Sequence, residues 1–144
     1  MPLKAYEDFS AFKLFLVDIG LLSAMTDISP KVILHGNDVF SEFKGALTEQ
    51  FACQQILAHS RQPVGYWSSD RGISEVDFLL QGETSVVPVE VKAERNLKAK
   101  SLKTYYEKFS PPFAIRTSLA DFRQEEWLWD IPLYAFLAWL QKEG

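Results

Sequence analysis

Between Val64 and Ala93 apolar and polar positions alternate with a period near two, broken twice by turn residues. That period marks strands, whose successive side chains point to opposite faces. It predicts strands over Val64–Ser69, Glu75–Leu80 and Val86–Ala93, joined by Asp70-Arg71-Gly72 and Gln81-Gly82-Glu83. Upstream, Lys13–Asp18 reads as a short strand, Gly20–Met25 as a turn into a short helix, and 26–37, with Pro30 and Gly36, as a loop. From Asp38, a candidate N-cap, to His59 the pattern is helical. Leu102, Tyr105, Tyr106 and Phe109 fall at i, i+3, i+4 and i+7, the stripe of an amphipathic helix that Ser110-Pro111-Pro112 stops. Phe113–Thr117 reads as another strand. A loop holding Trp127 and Trp129 follows, and then a helix with Pro132 in its first turn and Leu133, Phe136, Leu137 and Leu140 as its apolar stripe. The order strand, helix, helix, three strands, helix, strand, helix predicts an α/β domain with a mixed sheet.

Two of these strands carry charge where a buried strand has none. In Glu75-Val76-Asp77-Phe78-Leu79-Leu80, strict alternation places Val76, Phe78 and Leu80 on one face and Glu75 and Asp77 on the other. In the next strand Val87, Val89 and Val91 share a face, with Glu90 and Lys92 opposite. Pairing the strands brings an Asp, a Glu and a Lys to one patch. Ionised side chains sit in sheet centres only when paired or bound to a metal.

The preceding helix adds a fourth residue. Glu49 shares its helix face with Gly45, Ala46, Ala52 and Cys53, small residues that let a helix approach a sheet closely. An exposed Glu with incidental small neighbours has the same pattern; position just ahead of the charged strands favours an inward one. Converging carboxylates suit Mg²⁺ or Mn²⁺, which polarise phosphoryl oxygens and lower the pKa of bound water. Asp77 and Glu90 would hold the ion, Glu49 would complete the shell or hold a second ion, and Lys92 would assist the nucleophile or the transition state. Glu75 either joins them or pairs with a basic side chain. A structural Glu90–Lys92 ion pair is the plainer alternative.

Composition narrows the class. A chain of 144 residues with 47% apolar and 14% aromatic content forms one compact domain. No apolar run reaches membrane-spanning length, no signal-peptide pattern opens the chain, and Cys53 is its one cysteine, so the expectation is a cytoplasmic protein without disulfides or a cysteine-based zinc site. The net charge of −4 argues against coating nucleic acid by bulk attraction, yet residues 92–123 hold eight cations against three anions. Lys98, Lys100 and Lys103 are the candidate phosphate contacts; a solvated helix face has the same composition. Tyr105 and Tyr106, both on the helix stripe, and the four tryptophans read as core or interface residues rather than base-stacking platforms, and His35 and His59 as structural.

A Glu in a helix, an Asp in a strand and Glu-x-Lys in the next strand resemble the PD-(D/E)xK nuclease superfamily, carried here by Glu49, Asp77, Glu90 and Lys92. More closely, Phe43–Phe51, Tyr66-Trp67, Glu75–Leu79, Pro88–Ala93 and Lys100–Leu102, with Lys13–Leu22 upstream, resemble the uncharacterised nuclease-like C-terminal domain of bacterial and archaeal AAA+ ATPases. The resemblance covers roughly residues 8 to 140. It implies a restriction-endonuclease-like core, a mixed β-sheet flanked by α-helices, with 1–37 an entry strand and helix, 38–117 the PD-(D/E)xK core and 118–144 the C-terminal helix. Gln55 stands where the family commonly has a second helix Glu, which weakens a second-metal role for the helix. No Gly-x-x-x-x-Gly-Lys-[Ser/Thr] loop occurs, so ATP hydrolysis is not expected and the chain reads as a stand-alone protein, a truncated one or a fragment.

The leading expectation is a Mg²⁺- or Mn²⁺-dependent domain that binds nucleic acid, DNA before RNA, and hydrolyses phosphodiester bonds through metal-activated water. The alternative is a catalytically silent regulatory or assembly domain of an AAA+ ATPase that binds a protein partner or nucleic acid. Nucleases of this fold often dimerise, but no feature of the sequence marks an interface.

Overall fold

The computed structural model describes residues 2–26, 38–59, 64–69, 72–94 and 98–143. The loop expected over 26–37 therefore lies, but for Thr26, outside the described residues, as do His35, Arg95 and the Asp70-Arg71 half of a turn.

After a single 3₁₀ turn at Leu3–Tyr6, the elements are α1 (Ile19–Met25), α2 (Asp38–His59), β1 (Val64–Ser68), β2 (Glu75–Gln81), β3 (Val86–Val91), α3 (Lys100–Phe109), β4 (Ala114–Ser118), β5 (Arg123–Gln124), β6 (Leu128–Pro132) and α4 (Leu133–Glu143). The strands form one mixed sheet in the order β1-β2-β3-β4-β6-β5. β1, β2 and β3 are antiparallel neighbours, β3, β4 and β6 run parallel, and β5 pairs antiparallel at the far edge. This is the α/β architecture with a mixed, helix-flanked sheet expected from the sequence.

Two cores follow from the two sheet faces. On one, Ala52, Cys53 and Ile56 of α2 and Phe136 and Leu140 of α4 meet Phe78, Val89, Val91, Ile115 and Ile131. On the other, Leu102 and Tyr105 of α3 cover Val76, Leu79, Ala114 and Leu128. Fully buried side chains such as Phe78, Phe136, Ile56 and Leu102 each contribute roughly 1.5–3 kcal/mol over exposure. α3 ends at Ser110, whose left-handed backbone (φ 47°) donates its N–H to the Tyr106 carbonyl, just before the two prolines.

Four local expectations change. Lys13–Asp18 is not a strand. The Gln50 carboxamide of α2 accepts from the Leu16 N–H (2.9 Å) and donates to the Leu16 carbonyl (2.7 Å), giving this segment the two bonds a neighbouring strand would have supplied. Asp18 then caps α1. Second, Trp129 does not lie in a loop: β5 and β6 form there, and Pro132 ends β6 instead of opening the helix. Third, the small-residue stripe of α2 works only in its second half. Ala52 and Cys53 are buried, whereas Gly45 and Ala46 are exposed and a Cβ on Gly45 would meet nothing within 4 Å.

The fourth change concerns faces. Gly65 pairs with Leu79 but Trp67 pairs with Val76, so Asp77 and Phe78 together oppose Tyr66. This extra residue is a β-bulge in β2, and it breaks the alternation. Val76 joins Leu79 on the α3 face, while Phe78 and Leu80 pack on the α2 face.

A carboxylate cluster where two strands part

Backbone pairing of β2 with β3 runs from Gln81–Val86 to Phe78–Val89 and stops one residue short of Asp77 and Glu90. The Asp77 side chain takes over there: Oδ2 accepts the Val91 N–H at 2.8 Å. Its other oxygen, Oδ1, faces the Lys13 ammonium at 3.6 Å. Lys13 Nζ also lies 2.7 Å from Glu49 Oε1 of α2 and 2.6 Å from Glu75 Oε1 of β2, and 5.4 Å from the centre of the Tyr66 ring. One ammonium from the N-terminal segment thus sits among three carboxylates supplied by a helix and a bulged strand.

Glu90 and Lys92 form the second half of the site. Val89 and Val91 face the α2 core, so Glu90 and Lys92 project to the α3 side. Lys92 Nζ pairs with Glu90 Oε1 at 2.5 Å. Glu90 is 4% exposed, and its Oε2 is buried without a hydrogen-bond partner. Such an oxygen costs on the order of 1–3 kcal/mol or more, which makes it the strongest pointer to a missing partner. Beside it in register, Arg116 of β4 faces Asp130 of β6 and forms a buried two-point ion pair, 2.6 Å from Nε to Oδ1 and 2.8 Å from Nη2 to Oδ2.

The electrostatics join the halves. Burial pushes the Asp77 carboxyl up to about 6, the charges of Glu49 and Glu90 adding to the effect and the Val91 N–H and Lys13 opposing it. Burial works against the Lys13 charge, yet its hydrogen bonds to Glu49 and Glu75 prevail and hold its pKa up at about 12. Cys53, one turn from Glu49, is a buried free thiol raised by burial and then by the Glu49 charge.

The sequence-predicted residues are therefore placed as follows. Glu49, Asp77 and Glu75 come together around Lys13, whereas Glu90 pairs with Lys92 on the α3 side, so the single patch expected from strand pairing is divided between the two faces, with the Glu90 charge still felt at Asp77. Among the described residues, no three His, Cys, Asp or Glu side chains form a ready-made metal shell. Lys98, Lys100 and Lys103 are exposed on and just before α3, with Lys103 loosely paired to Glu107. Arg116, counted in the basic segment, is buried against Asp130 and presents no surface charge. Tyr105 packs edge-on against Trp67, Tyr106 against Trp127, and Trp129 stacks on Phe113. The sequence reading does not single out Lys13; a lone cation in the otherwise apolar run from Ala11 to Val17 is the available signal.

A model of the family described as a domain of unknown function (DUF4143) matches residues 44–136, well over half of the chain. The chain belongs to this family. It is an uncharacterised family often found with AAA ATPases. The match spans α2 through the start of α4, and so takes in Glu49, Asp77, Glu90 and Lys92 but not Lys13. No curated protein and no solved structure matches the chain. No helix among the described residues is long and apolar enough to cross a membrane.

Proposed function

We propose that this domain binds a divalent cation, Mg²⁺ or Mn²⁺, at Asp77 where the two strands part, with Glu49 reaching the ion from the α2 side and Glu90 from the α3 side, and acts on the phosphodiester backbone of nucleic acid, with DNA as the first substrate to test. The observation that carries this reading is the Glu90 carboxylate, buried, with one oxygen on Lys92 and the other without a partner. The donor set is all hard oxygen, the class that suits these ions. When bound, such an ion supplies Lewis acidity and a more acidic water. Lys92, about one-third exposed on its side chain, can exchange its bond to Glu90 for one to a phosphate oxygen. Lys98, Lys100 and Lys103 lie on the same side of the sheet and offer sequence-independent phosphate contacts.

A second reading, a catalytically silent domain serving an AAA+ ATPase partner, is favoured by Lys13, which partly neutralises the cluster without any metal. One experiment separates the two. Branched, linear and supercoiled DNA are incubated with the protein and Mg²⁺ or Mn²⁺, beside Asp77→Asn and Lys92→Ala. The nuclease reading expects divalent-dependent cleavage lowered at least 100-fold in both variants. Wild-type protein that cleaves none of these substrates, or variants that cleave equally, would leave the assembly reading.

A further inference from the structure

The metal reading leaves Lys13 without a role, although it makes the densest set of charged contacts in the site. We propose that Lys13 is a tethered counter-cation that competes with the divalent ion for Glu49 and Asp77, so that metal binding displaces the N-terminal segment carrying it. The inference rests on the proposed metal-binding function.

Charge, tether and anchorage support it. Three carboxylates (Glu49, Glu75 and Asp77) share one ammonium, while Glu90 and Lys92 neutralise each other, so net negative charge remains around Lys13. A divalent ion balances that charge better than an ammonium. The second observation pointing to such an ion comes from the other face of the sheet: the deeply buried Glu90 oxygen that has no hydrogen-bond partner, next to the point where β2 and β3 part at Asp77. Lys13 nevertheless competes well because it is covalently attached, at an effective concentration in the millimolar range or above.

The segment that carries it is lightly held. Phe9, Phe12, Leu14 and Val17 are all exposed. The inward contacts that follow Lys13 in the chain are Phe15 against Phe78, 5.7 Å between ring centres, the Leu16 backbone on Gln50, and the Ile19 N–H and Asp18 side chain on Gln54 at a partly exposed edge. A segment with so few buried contacts opens at low cost. Its own cation is the contact a divalent ion would remove.

The test is Mn²⁺ titration by calorimetry on the full chain, comparing wild type with Lys13→Gln and Lys13→Arg. We expect Lys13→Gln to bind Mn²⁺ at least tenfold tighter and Lys13→Arg to resemble wild type. Adding Glu49→Gln to Lys13→Gln removes the gain. A measurement on the unaltered protein guards against misfolded variants: amine-reactive labelling read by mass spectrometry should modify Lys13 slowly without metal and several-fold faster with saturating Mn²⁺. If Mn²⁺ binds wild type but neither Lys13→Gln affinity nor Lys13 labelling changes, the counter-cation is overturned and the metal site stands. If no variant binds Mn²⁺, both fall.

Discussion

Asp77 is ionised at some cost. Its folded pKa of about 6 lies above the ordinary 3.8, chiefly because burial disfavours the charged form. Between these values the folded state holds a proton that the unfolded chain has released, so stability falls as pH rises through that window. The full shift corresponds to roughly 3 kcal/mol at most. In EDTA, Asp77→Asn should therefore be more stable than wild type above pH 6, with the gap closing towards pH 4. Loss of the longer Lys13 contact trims the gain, while the Asn carbonyl still accepts the Val91 N–H. Thermal melts across pH 4–8 check this, and a gap that widens on acidification would contradict it. At this scale Asp77, Glu90 and Lys92 were legible, because charge inside an apolar alternation shows in one dimension. Lys13 was not, since its three partners come from α2 and β2 and only the folded chain brings them to it.

Among the elements, helix boundaries were the most readable, and α2 spans Asp38–His59 as its pattern implied. The faces of β2 were not, because a bulge adds no unusual residue to the sequence and is defined only against the partner strand. The bulge is what turns Asp77 towards Glu49 and Lys13. β6 was missed because Trp127–Pro132 is bounded by no clear turn signal and its proline suggested a helix start. The segment around Leu16 was misread for a subtler reason: its extended backbone is satisfied by one side chain, Gln50, instead of a strand. Gln50 is 2% exposed and serves both polar groups of Leu16. Gln50→Ala should cost about 2 kcal/mol, near 1 kcal/mol per lost bond. It should also release the Leu16 amide to fast hydrogen exchange while amides of β3 and β4 stay protected. Unchanged protection at Leu16 would mean that other contacts hold the segment.

Across the whole molecule, the antiparallel half of the sheet follows chain order and was foreseeable, but the placement of β4 between β3 and β6 depends on crossovers that local patterns do not encode. At their charged end β4 and β6 are joined by Arg116, which lies opposite Glu90 of β3 in register and is doubly bonded to Asp130. A buried pair like this pays for two desolvated charges, so its net worth is small, whereas breaking it strands the survivor. Arg116→Met should then destabilise the fold by about 3–5 kcal/mol, leaving Asp130 buried and uncompensated. The double change Arg116→Met with Asp130→Leu should recover most of that loss, as read by urea denaturation. Glu90 decides how complete the recovery is, because Arg116 is its register partner on the neighbouring strand. If the double variant is as stable as wild type, the pair serves folding specificity and Glu90 draws no stability from Arg116. If it stays several kcal/mol weaker while Asp130→Leu with Arg116 retained is mild, Arg116 chiefly serves Glu90, and the carboxylate proposed to hold a metal depends on a neighbour two strands from Asp77.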